Sequence, residues 1–470
     1  MVFASLTFLC FFLPINLILY YLSENPAYRN LLLIFFSLFF YAWGEPVWVV
    51  LLIFSALVDY ANGLWIDYFR GRAWAVWGLW SSVIINLSLL AAFKYSGFLY
   101  ENLNLLLGWQ LKAPKFSLPV GISFYTFQTI SYTVDVYRGE VKAQRSFLKF
   151  LLFVSLYHQL VAGPIVRYVH IAQEIERRRT KWLDIYAGIH RFCIGLFKKV
   201  CIANVAGELA SKYLDGDLSS LAIGEAWLGI LLFSLQIYFD FSGYSDMAIG
   251  LGRMFGFHYH ENFMYPYIAR SATEFWRRWH ISLGSFFRDY VYIPLGGRKR
   301  RPYFNLFVVW FLTGLWHGAS WNFVLWGLYF GLLIALERAF LLGILQKLPS
   351  FLSHLYLLFI VVLGWALFYF EDIGRLQTFF QALFGAMPHQ PWTSLGFFLT
   401  LRENAYWLLL SIVLCLPVYP WVSAWFVHKM KYKASPLPWV LVTGFQLFLL
   451  LLSITLLVGN TYNPFIYYRF

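Results

Sequence analysis

Apolar runs of bilayer length recur along the whole chain, and no other feature restricts its fold so strongly. Val2 to Leu22, Val47 to Trp65 and Trp439 to Val458 each come near the ~20 residues needed to cross a hydrocarbon core. In hydrocarbon every backbone N–H and C=O must find a partner inside the protein, so such a chain folds as helices packed on helices. The expectation is an all-α polytopic membrane protein, one domain over residues 1–470, with about ten or eleven spans. Composition agrees, since 60% hydrophobic and 13% charged residues lie far from the soluble balance. The first run has no positive n-region and no small-residue cleavage site before Ser23-Glu-Asn-Pro26, so it reads as a retained span.

A net charge of +13 raises the question of nucleic acid. The basic residues, however, gather in short loops between apolar runs: Arg70 and Arg72, then Arg138 to Lys149, then Arg167 to Lys181, then Arg298-Lys-Arg-Arg301. Positive-inside topology and anionic headgroups account for that placement, so the expected partner is the lipid bilayer and not nucleic acid. Cys10, Cys193, Cys201 and Cys415 are scattered without C-x-x-C spacing, which predicts neither a disulfide framework nor a metal site.

Departures from simple spans carry information. Tyr95 to Pro119 is semi-polar and reads as interfacial, and Ile185 to Val205 reads as amphipathic, with Arg191, Lys198 and Lys199 on an inner-leaflet surface. Val120 to Val136 holds too many hydroxyls and amides to face lipid all round. Phe147 to Ala162 is short, contains His158 and Gln159, and has basic flanks on both sides. A segment that must begin and end on the same face is re-entrant, and it implies a cavity opening toward the cytoplasm.

The densest polar chemistry runs from Tyr238 to Asn322. It reads Tyr238-Phe-Asp-Phe-Ser-Gly-Tyr-Ser-Asp246, Glu274-Phe-Trp-Arg-Arg-Trp-His280 and Gly314-Leu-Trp-His317-Gly318. Ionisable groups at membrane depth cost at least ~2.5 kcal/mol each, so they read as functional unless they lie near a helix end. Histidine moves a proton near neutral pH without a large shift, which suits His317 to deprotonate a nucleophile. The competing reading is a helix-end histidine with its ring bonded in the interface. Around His280 the spacing predicts one helix with Phe275, Trp279, Leu283, Phe286 and Tyr290 along a stripe, lying on the membrane surface, with Glu274 paired to Arg277 or Arg278. An interfacial anchor explains that pattern as well as contact between Arg277, Arg278, His280 and an anionic acyl carrier does. Asp240, Ser242, Asp246 and Asn262 either orient helices or position the histidines. No G-x-x-x-x-G-K-[ST], G-x-S-x-G or H-E-x-x-H sequence is present, which leaves histidine chemistry without metal or covalent serine.

These three motifs, with Pro119-Val-Gly-Ile-Ser-Phe, Ala162-Gly-Pro-Ile-Val-Arg167 and Tyr462-Asn-Pro-Phe-Ile-Tyr467, resemble the membrane-bound O-acyltransferase family over nearly the whole chain. The likeness is to its bacterial branch of alginate O-acetylation, peptidoglycan O-acetylation and teichoic acid D-alanyl transfer subunits. The resemblance implies a ring of tilted helices, with re-entrant and interfacial pieces, around a central tunnel. It implies that His317 is the essential histidine and His280 the second motif residue, with Glu274, Trp276, Arg277, Arg278 and Trp316 in support. It implies an acyl thioester donor such as acetyl-CoA, no bound cofactor, a periplasmic acetyltransferase or acceptor protein as partner, and a multi-pass place in the bacterial inner membrane. Alginate-type O-acetylation leads, peptidoglycan O-acetylation is the alternative, and a transporter or flippase is the rival from another class. Transporters often show repeated halves, and none is found.

Overall fold

The structure, a computed structural model, describes residues 1–112, 114, 116–160, 163–420, 437–459 and 466. Lys115, Val161, Ala162 of the Gly163-Pro164 motif, the last two residues of the Trp407 to Val422 run and the terminal Tyr462 to Tyr467 motif apart from Ile466 lie outside the described residues. The regular secondary structure of the described residues is entirely helical, with no strand among them.

The chain begins with α1 (Phe8–Tyr21), α2 (Pro26–Gly44), α3 (Val49–Tyr68) and α4 (Ala75–Leu107). The last runs on into the stretch expected to be interfacial, without a break at Tyr95. A π-helical stretch over Ala91–Tyr95 carries the helix on into Ser96–Leu107. Semi-polar sequence therefore continues the helix instead of ending it. The hydroxyl-rich segment forms α5 (Ile122–Arg138), whose Thr133 meets Ser82 of α4 across 2.9 Å. Asp59 of α3 accepts from Ser82 and Asn86 in the same buried network. Polar groups sit inside, while Phe11, Ile18, Phe35 and Leu451 face outward. That inversion suits a lipid solvent, in which interhelical hydrogen bonds and close packing replace the hydrophobic drive.

The short segment forms α6 (Phe147–Ser155) and α7 (Tyr157–Leu160), broken at Leu156 and buried from Phe150 to Leu160. After α8 (Tyr168–Glu176), α9 (Trp182–Phe197) runs through a π-helical turn into α10 (Val205–Leu214). Its partner is α11 (Ile223–Met254), a helix of 32 residues, nearly all buried. Backbones touch at two glycine pairs: a Cβ on Gly195 would sit 2.5 Å from the Gly243 carbonyl, and one on Gly188 2.7 Å from that of Gly250. This packing engages the cations of Ile185 to Val205 in ion pairs. Arg191 and Lys198 turn inward onto Asp246 and Lys199 pairs with Asp240 at 2.7 Å, with Lys199 only 5% exposed.

The remaining helices are α12 (Ala272–Arg278), α13 (Ile281–Phe287), α14 (Pro302–His317), α15 (Trp321–Leu345) and α16 (Ser350–Tyr369), followed by α17 (Ile373–Leu383), α18 (Leu395–Glu403), α19 (Ala405–Leu414) and α20 (Trp439–Gly459). Among the described residues seven helices are long and apolar enough to cross a bilayer, or eight if the α18–α19 pair, bent by 67°, counts as one broken span. Further expected crossings are shorter helices; α5 has 17 residues and α14 has 16. The basic loops meet on one face, where Arg145 reaches Asp67 at 2.6 Å and Arg167 reaches Asp289 at 2.8 Å.

Candidate functional site

The expected helix through His280 is broken at that residue. α12 ends at Arg278, α13 starts at Ile281, and His280 between them has φ 44, the left-handed region that non-glycine residues seldom occupy. The break is held by a second chain segment: Ile281 N donates to the Asn262 carbonyl at 3.0 Å and Met264 N to that of Arg278 at 2.9 Å. The residues of the expected stripe turn inward instead of lying on a surface, with Phe275, Trp279, Leu283 and Phe286 all buried. Periodicity drew one helix because both halves are amphipathic; the kink depends on partners far away in sequence. Glu274 does pair with Arg278, at 2.9 Å.

Asn262 organises the bend. Fully buried, its Oδ1 accepts from Ser282 N at 3.1 Å and Ser282 Oγ at 2.9 Å, and lies 3.3 Å from His280 Nδ1, while its Nδ2 donates to Ser245 on α11 at 3.1 Å. An acceptor at Nδ1 puts the ring proton there and leaves a lone pair on Nε2. His280 is 2% exposed and its Nε2 has no hydrogen-bond partner among the described residues. Ile165 N donates to Ser282 Oγ at 3.0 Å, which ties the Gly163 to Arg167 motif to the same cradle.

A cavity of about 500 Å³ runs up to this histidine. Its walls include Trp276, Arg277, His280, Arg288, Trp310 and Thr313. Trp276 Nε1 is a buried donor without a partner among the described residues, so the chamber offers a bound molecule one acceptor, one donor and a guanidinium-lined mouth. Thr313 lies one helical turn, roughly 6 Å, below His317 on α14. Across α13 a second cavity of about 400 Å³ is lined by Arg167, His170, His260 and Ser282. His170 is pushed down to about 4 there by burial, by His260 and by Arg167.

His317 ends α14 and is 5% exposed. It stands among aromatic rings, with centroid distances of 4.9 Å to Trp316, 4.8 Å to Trp326 and 5.3 Å to Phe368. Trp316 also stands 5.8 Å from His280, so one indole neighbours both imidazoles. Glycines bring α15 close enough to supply this wall. A Cβ on Gly327 would lie 2.3 Å from the Trp310 carbonyl, and one on Gly314 2.4 Å from that of Phe323.

The remaining candidates divide. Asn262, Trp276, Arg277 and Trp316 belong to the histidine site. Asp240 and Asp246 do not, because their carboxylates are held by Lys199 and by Arg191 with Lys198; Asp240 Oδ2 also accepts from Ile466 N at 3.0 Å. Both therefore lock helices together. Ser242 is buried with its hydroxyl unpartnered among the described residues, and Glu274 and Arg278 brace the bend. Sequence reasoning missed Trp326, Phe368 and the Lys94–Tyr95 pair, whose side chains reach the carbonyls at the end of α14. A lysine beside a tyrosine at the edge of an apolar run looks like an interfacial anchor, and only its π-helical setting marked it as unusual.

A family model described as MBOAT, membrane-bound O-acyltransferase family, matches residues 140–373, which include both histidines. The chain is 42% identical over 82% of its length to a probable alginate O-acetylase of Pseudomonas aeruginosa, covering 75% of that protein. It is 37% identical to one of Pseudomonas putida over the whole of both chains. A peptidoglycan O-acetyltransferase of Helicobacter pylori is 34% identical over 80% of this chain and 79% of its own.

Proposed function

Because the chain belongs to the membrane-bound O-acyltransferase family, we propose that it moves acetyl from a thioester donor on the cytoplasmic side of the inner membrane toward an extracytoplasmic polysaccharide of the alginate type. It is an acyltransferase and a multi-pass membrane protein. The observation that carries the finer reading is the chamber of about 500 Å³ rising past Arg277 and Arg288 to His280 and to Thr313, one turn below His317. Arginines at its mouth suit donor phosphates, and the basic loops support a cytoplasmic mouth. The lone pair on His280 Nε2 suits the amide N–H of a pantetheine-like arm.

His317 acts as general base. As its imidazole takes the proton of the acceptor hydroxyl, that oxygen bonds to the thioester carbonyl carbon. The C–S bond then breaks and the thiolate leaves with a proton. Trp316, Trp326 and Phe368 hold the ring and exclude water, which would otherwise consume the donor. No cofactor is needed for this balance. A periplasmic acetyltransferase or acceptor protein takes the acetyl onward to the polymer. Identity to the peptidoglycan O-acetyltransferase keeps peptidoglycan as the second acceptor.

The test uses purified protein in liposomes, labelled acetyl-CoA on one side, and alginate or peptidoglycan oligomers with the periplasmic partner on the other. Thiol release with label in ester linkage on alginate is expected, and absent with His317→Ala. Equal transfer by the variant removes the base assignment. Label crossing without a covalent product would make the protein a transporter.

A further inference from the structure

The four carbonyls at the end of an α-helix have no partner within it, and at membrane depth a bare one is costly because no water is there to bond it. At the end of α14 all four are accounted for. Gly318 N closes on the Gly314 carbonyl at 3.4 Å. Tyr95 Oη donates to the Leu315 carbonyl at 2.6 Å, and Lys94 Nζ donates to those of Trp316 at 2.5 Å and His317 at 3.4 Å. Three of the four thus depend on two adjacent side chains from another helix. Lys94 also lies 5.9 Å from the centre of the Trp316 ring and 3.4 Å from Ser123 Oγ.

Two adjacent residues on an α-helix point about 100° apart and do not converge on one target. Lys94 and Tyr95 accordingly reach different carbonyls, and they end a π-helical turn over Ala91–Tyr95, of a kind that recurs at functional sites. A cation at a helix C-terminus also meets the negative end of the helix dipole. Lys94 therefore grips the peptide that joins Trp316 to His317.

We propose that Lys94, with Tyr95 beside it, is the positioning residue for His317: a clamp on the end of α14 that sets the directions of the Trp316 and His317 side chains without touching substrate. The kinetic part rests on the acyl-transfer reading above; the structural part does not. A cation clamping carbonyls tolerates another cation and not an isosteric thioether. Displacing a base by even ~1 Å costs up to ~100-fold in turnover while leaving donor binding alone.

The experiment compares full-length wild type, Lys94→Met, Lys94→Arg and Tyr95→Phe in liposomes. It reads kcat and donor KM with acetyl-CoA, the melting temperature, and the rate at which diethyl pyrocarbonate modifies His317, followed by mass spectrometry. Lys94→Met is expected to keep KM within about twofold, lose about tenfold or more in kcat, and modify His317 at least about threefold faster, with Lys94→Arg restoring most of both. Tyr95→Phe, which frees one carbonyl, is expected to lose about two- to fivefold in kcat. If Lys94→Met does not fold, Tyr95→Phe decides. Wild-type kcat and modification rates in the folded variants, or a kcat loss matched by the loss of folded protein, would overturn the clamp. A wild type that transfers no acetyl would sink the acyl-transfer reading, while the modification rates would still judge the clamp.

Discussion

The two histidines occupy opposite kinds of surroundings within one site. His280 lies in a polar cradle, at a bend in left-handed backbone, with one ring nitrogen toward a chamber of about 500 Å³. His317 ends a helix in a wall of rings. The difference teaches how work is divided at membrane depth. A group that meets an incoming polar molecule needs hydrogen bonds and space, whereas a group that must hold one direction in a dry place needs packing and a fixed helix end. Trp316 belongs to both, touching each imidazole.

That contrast breaks most visibly on His317→Ala, which is expected to lower kcat by about 10²–10⁴ with donor KM nearly unchanged, measured as ester formation from labelled acetyl-CoA. A KM rise with kcat preserved would reverse the roles assigned to the pair. Next comes Gly327→Ala, on the wall of His317 and far from the chamber mouth. Its Cβ would meet the Trp310 carbonyl at 2.3 Å, so α14 and α15 must part, costing about 1–3 kcal/mol of stability and roughly tenfold in kcat. Thermal melting beside turnover checks both numbers. His280→Ala should raise donor KM about tenfold and change kcat less, because it removes a hydrogen-bonding group from the chamber. Equal losses in kcat and kcat/KM would show that His280 shares the proton step.

The smallest effect belongs to the basic face. Burial alone would raise the Asp289 carboxyl, but hydrogen bonds from Arg288 and Arg167 and their charges outweigh it and hold the group below the usual carboxylate range. A depressed folded value means the contribution is present above the unfolded pKa and is lost as pH falls through the folded one. Asp289→Asn should therefore lower the melting temperature by about 1–2 °C at neutral pH, with solvent screening keeping it small. The gap from wild type should close in acid. A gap that persists at pH 3 would mean that packing, not charge, is the cause.

Much of the architecture was legible because hydrocarbon leaves so few options. Apolar length announced helices, and the basic loops that gather on one face were visible as charge clusters. The unusual segment from Phe147 onward does break, at Leu156. The site was legible only in part. His280, His317, Trp276, Arg277, Trp316 and Asn262 were singled out by polarity or motif, and they do meet. Asp240 and Asp246 were singled out for the same reason and instead pair with Lys199, Arg191 and Lys198. A buried carboxylate and a cation that neutralises it look alike in sequence whether they serve chemistry or packing.

The sequence by itself determined the solvent this protein lives in, its helical class, its basic face and the residue types available for proton transfer. These follow from composition and local spacing. Tertiary structure alone decided that the helix breaks at His280, that Trp316 neighbours both histidines, and that Lys94 and Tyr95 close the end of α14. Each of those depends on partners far apart in the chain: 18 residues from Asn262 to His280 and 222 from Lys94 to Trp316. Local periodicity carries no trace of such partners, because hydrogen bonds and ring contacts at that separation are set by how the helices pack.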